Sequence, residues 1–427
     1  MKVCVQGLWH LGVVTSAVLT SLDIEVIALD YDETTVQNLE RNILPVQEPG
    51  VAELLSKAKL MDLIKYTFNP EDIRNCEIFW LTYDTPVDET DQADTNFVFT
   101  QFRKSLPFIN HDALIIISSQ LPVGSTRKLI DLAKYSRPNN NFKFYVQPEN
   151  LRLGKALESF MTSEAIVIGT DSGVRDELLA DLLARLDTPI IWMGLESAEM
   201  TKHAINSFLA SSITFMGEIS EICELVGANS REVEIGLRSD PRVGRRMYVS
   251  PGLGFAGGTL ARDVKFLEEF QKNRKGILSS LIQSNDYNNN WLQRKFHEKF
   301  GLKKNKSIVF AGLTYTEETN TLRRSAMLDF AISLSSQGHE IKYFEDQEIV
   351  LPETVKDKFG VLENMLSALK DADLIIVGRK MNWLLHNETV EQLFLSNIKL
   401  FDPSGFLYDY AIKNGNLSNY STVGIKN

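Results

Sequence analysis

The chain has 427 residues, which is too long for a single hydrophobic core and indicates two or three domains. A formal net charge of −11 disfavours nucleic acid and anionic membrane surfaces as partners, because both are bound through positive protein surface. The N-terminal MKVCVQGLWH indicates a strand and a turn, and no apolar run reaches transmembrane length. We therefore expect a cytoplasmic protein that does not bind membranes.

Cys4, Cys76 and Cys223 are far apart and lack the spacing of a metal site. Cys4 and Cys76 lie in strand-like apolar runs and Cys223 in a helical one, so buried core thiols are expected. This usage fits a reducing compartment, and we predict no metal site.

The first part of the chain alternates short apolar runs with helical patterns. Runs that are almost continuously apolar are typical of strands buried on both faces of a parallel sheet. The predicted strands are 2–7, 24–30, 76–82, 113–119, 143–148 and 165–170.

From Ser197 to about Leu237 the pattern becomes helical. Within it, ESAEMTKHAINSFLASSITFMGEISEICELVGA (196–228) has no interior proline and predicts a long helix, and further helices follow to about Phe300. A second strand alternation comprises 306–313, 339–346, 372–379 and 398–403. We predict an α/β protein with an N-terminal Rossmann-like parallel sheet, a central all-helical domain and a C-terminal Rossmann-like α/β domain. The predicted boundaries are 1–195, 196–302 and 303–427.

The first strand is followed by GLWHLG and a helical pattern, as in a dinucleotide-binding turn. We expect Gly7, Trp9, Leu11 and Gly12 to contact the cofactor, with Gly7 making the tight turn and Gly12 allowing close helix packing. Asp30, roughly 20 residues further on, is placed to accept a ribose hydroxyl, which favours NAD over NADP. Trp9 stands where a middle glycine would let the backbone approach phosphate, so a sheet that no longer binds cofactor is the alternative.

Several segments along nearly the whole chain together resemble the UDP-glucose/GDP-mannose dehydrogenase family. They are ILPVQEPGVAELL (43–55), DTPVDE (84–89), SSQLPVGST (118–126), VQPENLRLG (146–154), AEMTKHAINSFLA (198–210), DPRVG (240–244), GFAGGTLARD (254–263) and GLTYTEETNTLRRS (312–325). The resemblance implies NAD as cofactor, a nucleotide sugar as substrate, and oxidation of the C6 alcohol to a carboxylate through a cysteine thioester. It also implies a C-terminal domain that binds the nucleotide, and a homodimer through the central helices.

The resemblance assigns roles to individual residues. Lys202 would stabilise oxyanion charge or position water, and Asn206, one helical turn later on the same face, would hold the oxygen. Glu149 resembles the family glutamate associated with proton transfer. The alternatives are a solvated lysine and an exposed loop carboxylate.

In GFAGGTLARD the position of the family cysteine is Thr259, and Asp263 is retained. A hydroxyl cannot replace a thiol, because a thiol with a pKa of about 8.5 ionises near neutrality and a hydroxyl does not. We therefore expect a single hydride transfer giving an aldehyde or ketone, or a second oxidation without a covalent intermediate.

The remaining site residues also follow from the resemblance. Thr85 and Pro86 would lie beside the cofactor. The expected substrate-binding residues are Arg152, Arg242, Phe255, Gly257, Gly258, Arg262 and Arg323. Tyr315 and Thr316 depart from the family pattern, which leaves the nucleotide base open.

The leading hypothesis is an NAD-dependent oxidoreductase acting on a nucleotide sugar in glycan precursor synthesis. Two alternatives stay open: an epimerase that retains NAD, and a non-catalytic binding paralogue. The apolar stripe of 204–226 fits a homodimer, although such a stripe also fits intramolecular packing.

Overall fold

A computed structural model describes residues 1–86, 93–149, 151–271, 274–314, 322, 325–385, 387–415 and 417–426. Its internal contacts divide the chain into two compact units, Met1–Ala204 and Ile205–Asn427. The predicted division into three domains stays a prediction.

The first unit is built on an eight-stranded sheet in the order β3-β2-β1-β4-β5-β6-β7-β8. All neighbours are parallel except β6 and β7, which are antiparallel. The strands are β1 (Lys2–Gln6), β2 (Glu25–Leu29), β3 (Ile64–Thr67), β4 (Ile78–Leu81), β5 (Leu114–Ile117), β6 (Lys143–Val146), β7 (Ile166–Thr170) and β8 (Ile190–Gly194).

Helices cover both faces of this sheet. The side chains of β1 show this, since they alternate between two separate apolar clusters. Val3 and Val5 belong to one cluster, and Cys4 between them belongs to the other. The helices are α1 (His10–Ser21), α2 (Glu33–Glu40), α3 (Val51–Leu60), α4 (Thr95–Ser105), α5 (Ser125–Ser136), α6 (Ala156–Met161) and α7 (Glu177–Leu183).

The long helix α8 (Leu195–Val226) begins in the first unit and ends in the second. It stops at Gly227, whose φ of +79° is left-handed and cannot continue a helix. Asn229 then caps α9 (Ser230–Ser239) by accepting a hydrogen bond from the Arg231 N–H. The predicted long helix over 196–228 is therefore confirmed, and Gly227 separates it from α9.

The second unit continues with three helices before its own sheet. These are α10 (Thr259–Glu268), α11 (Ile277–Asn289) and α12 (Trp291–Phe300). The sheet has six parallel strands in the order β11-β10-β9-β12-β13-β14. Its elements are β9 (Ser307–Ala311), α13 (Ala326–Ser336), β10 (Glu340–Phe344), β11 (Phe359–Val361), β12 (Leu374–Val377), α14 (Asn387–Leu395), β13 (Lys399–Phe401), α15 (Tyr408–Lys413) and β14 (Tyr420–Ser421).

The predicted fold class is confirmed, with two sheets separated in sequence by helices. Cys4, Cys76 and Cys223 are all buried and free, as predicted. Within the described ranges, no helix is both long and apolar enough to cross a membrane.

Candidate active site

The turn after β1 has the geometry of a dinucleotide-binding turn. Gly7 has a φ of +99°, and a Cβ there would lie 2.7 Å from the Tyr83 backbone nitrogen. A Cβ at Gly12 would lie 1.8 Å from the carbonyl oxygen of Gly7. Any larger residue would force the backbone to move at either position, so helix α1 packs against the turn only because both residues are glycine.

Trp9 occupies the middle of this turn without the conformation that requires glycine. Its φ is −88°, and its side chain is 51% exposed. The first bond within α1 is donated by the Val13 N–H to the Trp9 carbonyl. The backbone N–H groups of His10, Leu11 and Gly12 therefore have no acceptor within the helix. The Leu11 side chain is buried.

Asp30 follows β2 and faces the same turn. Its carboxylate accepts hydrogen bonds from the Leu8 N–H at 2.7 Å and the Asp32 N–H at 3.0 Å. Burial raises the pKa of Asp30, and the two backbone hydrogen bonds oppose that rise. The carboxylate is thus fixed beside the turn with its acceptor character retained.

The loop after β4 contributes Thr85 and Pro86 to this end of the sheet. The Thr85 hydroxyl donates to the Gln120 carbonyl, and the Pro86 carbonyl accepts from the Asp94 N–H at 2.7 Å. Thr85 is buried and Pro86 is exposed. Glycines at the turn, available helix N–H groups and a carboxylate at the end of β2 together fit an NAD dinucleotide, with its pyrophosphate at the start of α1.

Lys202 and Glu149 form a second group within the first unit. The Lys202 Nζ lies 3.4 Å from Glu149 Oε1, and Glu149 Oε2 accepts from the Leu151 N–H at 2.7 Å. Only 10% of the Lys202 side chain and 19% of the Glu149 side chain are exposed. Neither side chain is therefore the solvated surface charge of the alternative interpretation.

Lys202 and Glu149 both line a small cavity of about 30 Å³, which is large enough for a water molecule. The other polar residues lining it are Ser118, Ser119, Gln120, Thr126, Glu199 and His203. The cavity therefore joins a cation, carboxylates and hydroxyls, which is the composition needed to hold and move a proton.

Glu199 is a residue of this cavity that the sequence analysis missed. Its carboxylate accepts from the Gly124 N–H at 2.6 Å and the Thr126 N–H at 2.9 Å, at the start of α5. It lies three residues before Lys202 and so shares a face of α8 with it. His203, also missed, is 1% exposed and bonds to the Leu121 carbonyl at 2.9 Å.

In the second unit the structure brings Asn206 and Asp263 together. The Asn206 amide donates to the Asp263 carboxylate, and the two side chains are buried. Asp263 lies on α10, four residues after Thr259, so both are on one face of that helix. Thr259 is the first residue of α10 and is exposed.

The loop before α10 is held by Asn285 of α11. Its side chain accepts from the Phe255 N–H at 2.7 Å and donates to the Phe255 carbonyl at 3.0 Å. Gly257 has a φ of +75°, and Gly258 precedes the first helical residue. The Phe255 ring belongs to the helical core with Ala210 and Leu281, so this residue anchors the loop to the core.

The predicted arginines differ in their surroundings. Arg262 is half-buried on α10, whereas Arg152 is exposed in the loop after Glu149. Arg242 is exposed for 88% of its side chain and pairs with Asp240 at 2.7 Å. That pairing lowers the pKa of Asp240. Arg323, Tyr315, Thr316 and Asn150 lie outside the described residues.

Comparison with known proteins places these features in one family. Residues 1–187 match the NAD-binding domain of the UDP-glucose/GDP-mannose dehydrogenase family, and residues 196–290 match the central domain of the same family. The chain belongs to the UDP-glucose/GDP-mannose dehydrogenase family. It is accordingly an NAD-dependent oxidoreductase of the nucleotide-sugar dehydrogenase class.

Relatives of the family match most of the chain. UDP-glucose 6-dehydrogenase TuaD of Bacillus subtilis (strain 168) is 29% identical over 88% of this chain and 83% of its own length. A UDP-glucose dehydrogenase from Pyrobaculum islandicum superposes with a TM-score of 0.82 at 23% identity, covering 94% of this chain and 93% of the other. A UDP-D-ManNAc dehydrogenase from Pyrococcus horikoshii gives 0.84 at 20% identity, with 99% of both chains covered. The two solved structures show a shared fold.

Proposed function

We propose that this dehydrogenase oxidises an alcohol carbon of a UDP-linked or related nucleotide sugar once, and releases an aldehyde or ketone rather than a carboxylate. The observation that carries the proposal is Thr259 at the start of α10, in the loop position where the family pattern has cysteine. Cys4, Cys76 and Cys223 are buried, so none can replace it as a nucleophile.

The Lys202–Glu149 pair would manage the proton of this step. As the alcohol C–H bond releases its hydride, the O–H bond releases a proton, and the carbonyl oxygen carries partial negative charge. Lys202 can stabilise that charge, and Glu149 or a water in the adjacent cavity can take the proton. NAD, when bound, supplies the hydride acceptor.

Asn206 and Asp263 would orient the sugar. The Asp263 carboxylate accepts a hydrogen bond from the Asn206 amide and so fixes that amide in one orientation. The directions of the amide oxygen and of the second N–H are then fixed as well. Such a fixed amide can bind a sugar hydroxyl without a cost for ordering it first. We also propose that the C-terminal α/β part binds the nucleotide.

The reaction is tested by counting hydrides. Purified protein is incubated with NAD and a panel of UDP-, GDP- and dTDP-sugars, while NADH absorbance and product mass are followed. One NADH per product, with a mass two hydrogens below the substrate, is the expected result. A uronic acid with two NADH per product would overturn the single-oxidation proposal, and an isomer of unchanged mass without NADH would indicate an epimerase.

Substitution at position 259 sharpens this test. T259C restores a thiol at the helix start, where thiol pKa values are lowered, and is expected to shift the product towards the uronic acid. T259S keeps a hydroxyl and serves as the matched control, with one NADH per product. If T259C binds the substrate fully and still gives the wild-type product, the missing thiol is not what sets the oxidation level of the product.

We further propose a homodimer through α8. In the second unit, Phe208, Phe215 and Ile222 recur at seven-residue intervals and are 60%, 49% and 52% exposed. An apolar stripe of this period fits packing against a second copy of the helix. Light scattering tests it: F215E should weaken the dimer by about 30-fold or more, as expected for a large apolar anchor. L302E, at an 89% exposed leucine, is the matched control and should leave the dimer intact.

We place the protein in the cytoplasm and in the synthesis of glycan precursors. Three free, buried thiols support a reducing compartment, and nucleotide sugars are the donors from which glycans are built. Fractionation of cells with an antibody to the chain tests the location, and a membrane or secreted fraction would contradict it.

A further inference from the structure

Glu48 is a buried carboxylate between the dinucleotide turn and the loop that follows Glu149. Its side chain is 1% exposed. One oxygen accepts from the Gly154 N–H at 2.8 Å, and the other accepts from the Ala156 N–H at 3.2 Å. Glu48 therefore holds the segment from Gly154 to Ala156, which is more than a hundred residues away along the chain.

The third partner of Glu48 is His10, the first residue of α1. The His10 Nε2 lies 2.7 Å from Glu48 Oε1, and 17% of the His10 side chain is exposed. A buried carboxylate that is bonded to backbone N–H groups keeps a full negative charge, and a cation at hydrogen-bond distance compensates it. The imidazolium form of His10 would supply that cation.

The titration of the two groups agrees with this geometry. Burial lowers the pKa of His10, but the hydrogen bond and charge of Glu48, with the charges of Asp84 and Glu149, raise it above the ordinary value. Burial raises the pKa of Glu48, but the hydrogen bonds from His10, Gly154 and Ala156 lower it overall. Among the described residues, the carboxylates that raise the pKa of His10 are Glu48, Asp84 and Glu149, from the loops after α2, β4 and β6.

The position of His10 connects this pair to the cofactor. The backbone N–H of His10 is among those at the start of α1 that fit the pyrophosphate. Positive charge at that point favours a bound anion. We propose that His10 and Glu48 are positioning residues that tie the cofactor turn to the segment around Gly154, and that the tie is strongest while His10 is protonated. The inference rests on NAD binding by the first unit.

The direction of the pH dependence follows from the raised pKa of His10. The contribution of the pair is complete below the ordinary imidazole pKa, and it is lost as the pH rises through the raised value. Above that pH, Glu48 keeps its charge without a cation beside it, close to the site of a second anion. As the pH rises, NAD affinity should therefore decrease, and the segment 154–156 should become less rigidly held.

Calorimetric titration of the full chain with NAD between about pH 6 and pH 9 tests the inference. Wild-type affinity should fall by about tenfold across this range, as expected for a partly buried charge at a helix terminus. H10Q, which keeps a nitrogen donor but cannot become charged, should bind equally at every pH, at the wild type's high-pH affinity. E48Q should shift the fall to lower pH, because His10 loses the charge that raises its pKa.

H111Q is the matched control, since His111 is an exposed histidine paired with its neighbour Asp112 in the same unit. It should keep the wild-type pH profile. A fall of the same size in H10Q, or a flat profile in the wild type, would overturn the inference.

Hydrogen exchange of peptides containing Gly154 and Ala156, without NAD, gives a readout that does not depend on the cofactor. After correction for intrinsic rates, wild-type protection should decrease several-fold with rising pH, and H10Q should show no such decrease. Exchange that does not respond to pH in the wild type would overturn the positioning role. Absence of NAD binding at any pH would instead overturn the cofactor assignment, and the exchange result would still decide the pair.

Discussion

The turn after β1 and the turn after β9 share their backbone geometry and differ in what completes them. Gly7 and Gly312 have φ values of +99° and +96°, and each follows the third strand in the order of its sheet. Each turn donates an N–H to a carboxylate after the neighbouring strand, Leu8 to Asp30 and Leu313 to Glu345. The two sheets thus repeat one design of switch point.

The difference lies in the side chain packed against each glycine. A Cβ at Gly7 would meet Tyr83, whereas a Cβ at Gly312 would meet the stem of Arg379. The guanidinium of Arg379 is buried and pairs with both Glu345 and Asp346. At the second turn, therefore, an internal cation neutralises the acid.

The start of the following helix differs in the same sense. α1 begins three residues after Gly7, with backbone N–H groups next to the turn. After the second turn, the next helix within the described residues is α13, which begins at Ala326, and its Ser325 cap accepts from the Leu328 N–H. We therefore expect the dinucleotide to bind at the first turn, where the helix N–H groups and the Asp30 carboxylate lie together.

Removing the buried cation should have the largest effect. R379M would leave Glu345 and Asp346 buried or partly buried without their partner, which should lower the free energy of unfolding of the second unit by about 3 kcal/mol. Thermal or denaturant unfolding measures the loss. R379M/E345Q should recover part of it, and NAD affinity should stay at the wild-type value. A fall in NAD affinity with an unchanged melting temperature would contradict this division of roles.

A matched pair of glycine substitutions should come next. In G12A and G378A the new Cβ would lie 1.8 Å and 2.1 Å from the carbonyl oxygens of Gly7 and Gly312. Each clash should cost about 2 kcal/mol of stability through backbone displacement. Only G12A should also weaken NAD binding in calorimetry. Equal loss of NAD affinity in both variants would mean that the two turns are not functionally distinct.

The smallest expected effect distinguishes the role of Asp30 at the first turn from that of Glu345 at the second. D30N retains one acceptor for the turn but loses the second and the charge, so stability should fall by about 1 kcal/mol. NAD affinity should fall by about tenfold, because a ribose hydroxyl loses a charged acceptor. E345Q is the control, with no change in NAD affinity. Unchanged NAD binding in D30N would remove Asp30 from the cofactor site.

Long apolar runs made much of the fold predictable from sequence, and short or weakly patterned elements escaped. β1, with Val3, Cys4 and Val5 fully buried, is evident from its residues. β11 and β14 have three and two residues and are defined by their neighbours in the sheet rather than by their own pattern. α8 is also evident from its sequence, since the helical pattern over 196–228 ends at Gly227.

Which candidate residues are neighbours could be predicted from sequence only where they are close along the chain. Lys202 and Asn206 are one helical turn apart, and their spacing indicates a shared face. The bonds of Glu199 to the start of α5 and of His10 to Glu48 join residues 73 and 38 positions apart. Periodicity contains no information on such pairs, because they form only when the loops at the end of the sheet fold together.

The burial of all three thiols bears on how this enzyme would respond to electrophiles. Burial raises the pKa of Cys76 to about 12 and that of Cys4 well above its ordinary value, so neither is a thiolate at neutral pH. Alkylating reagents and peroxide act on accessible thiolates, and they would silence a dehydrogenase that works through an active-site cysteine. With Thr259 in that position, this dehydrogenase should continue to turn over under oxidative stress that inactivates a cysteine-dependent one.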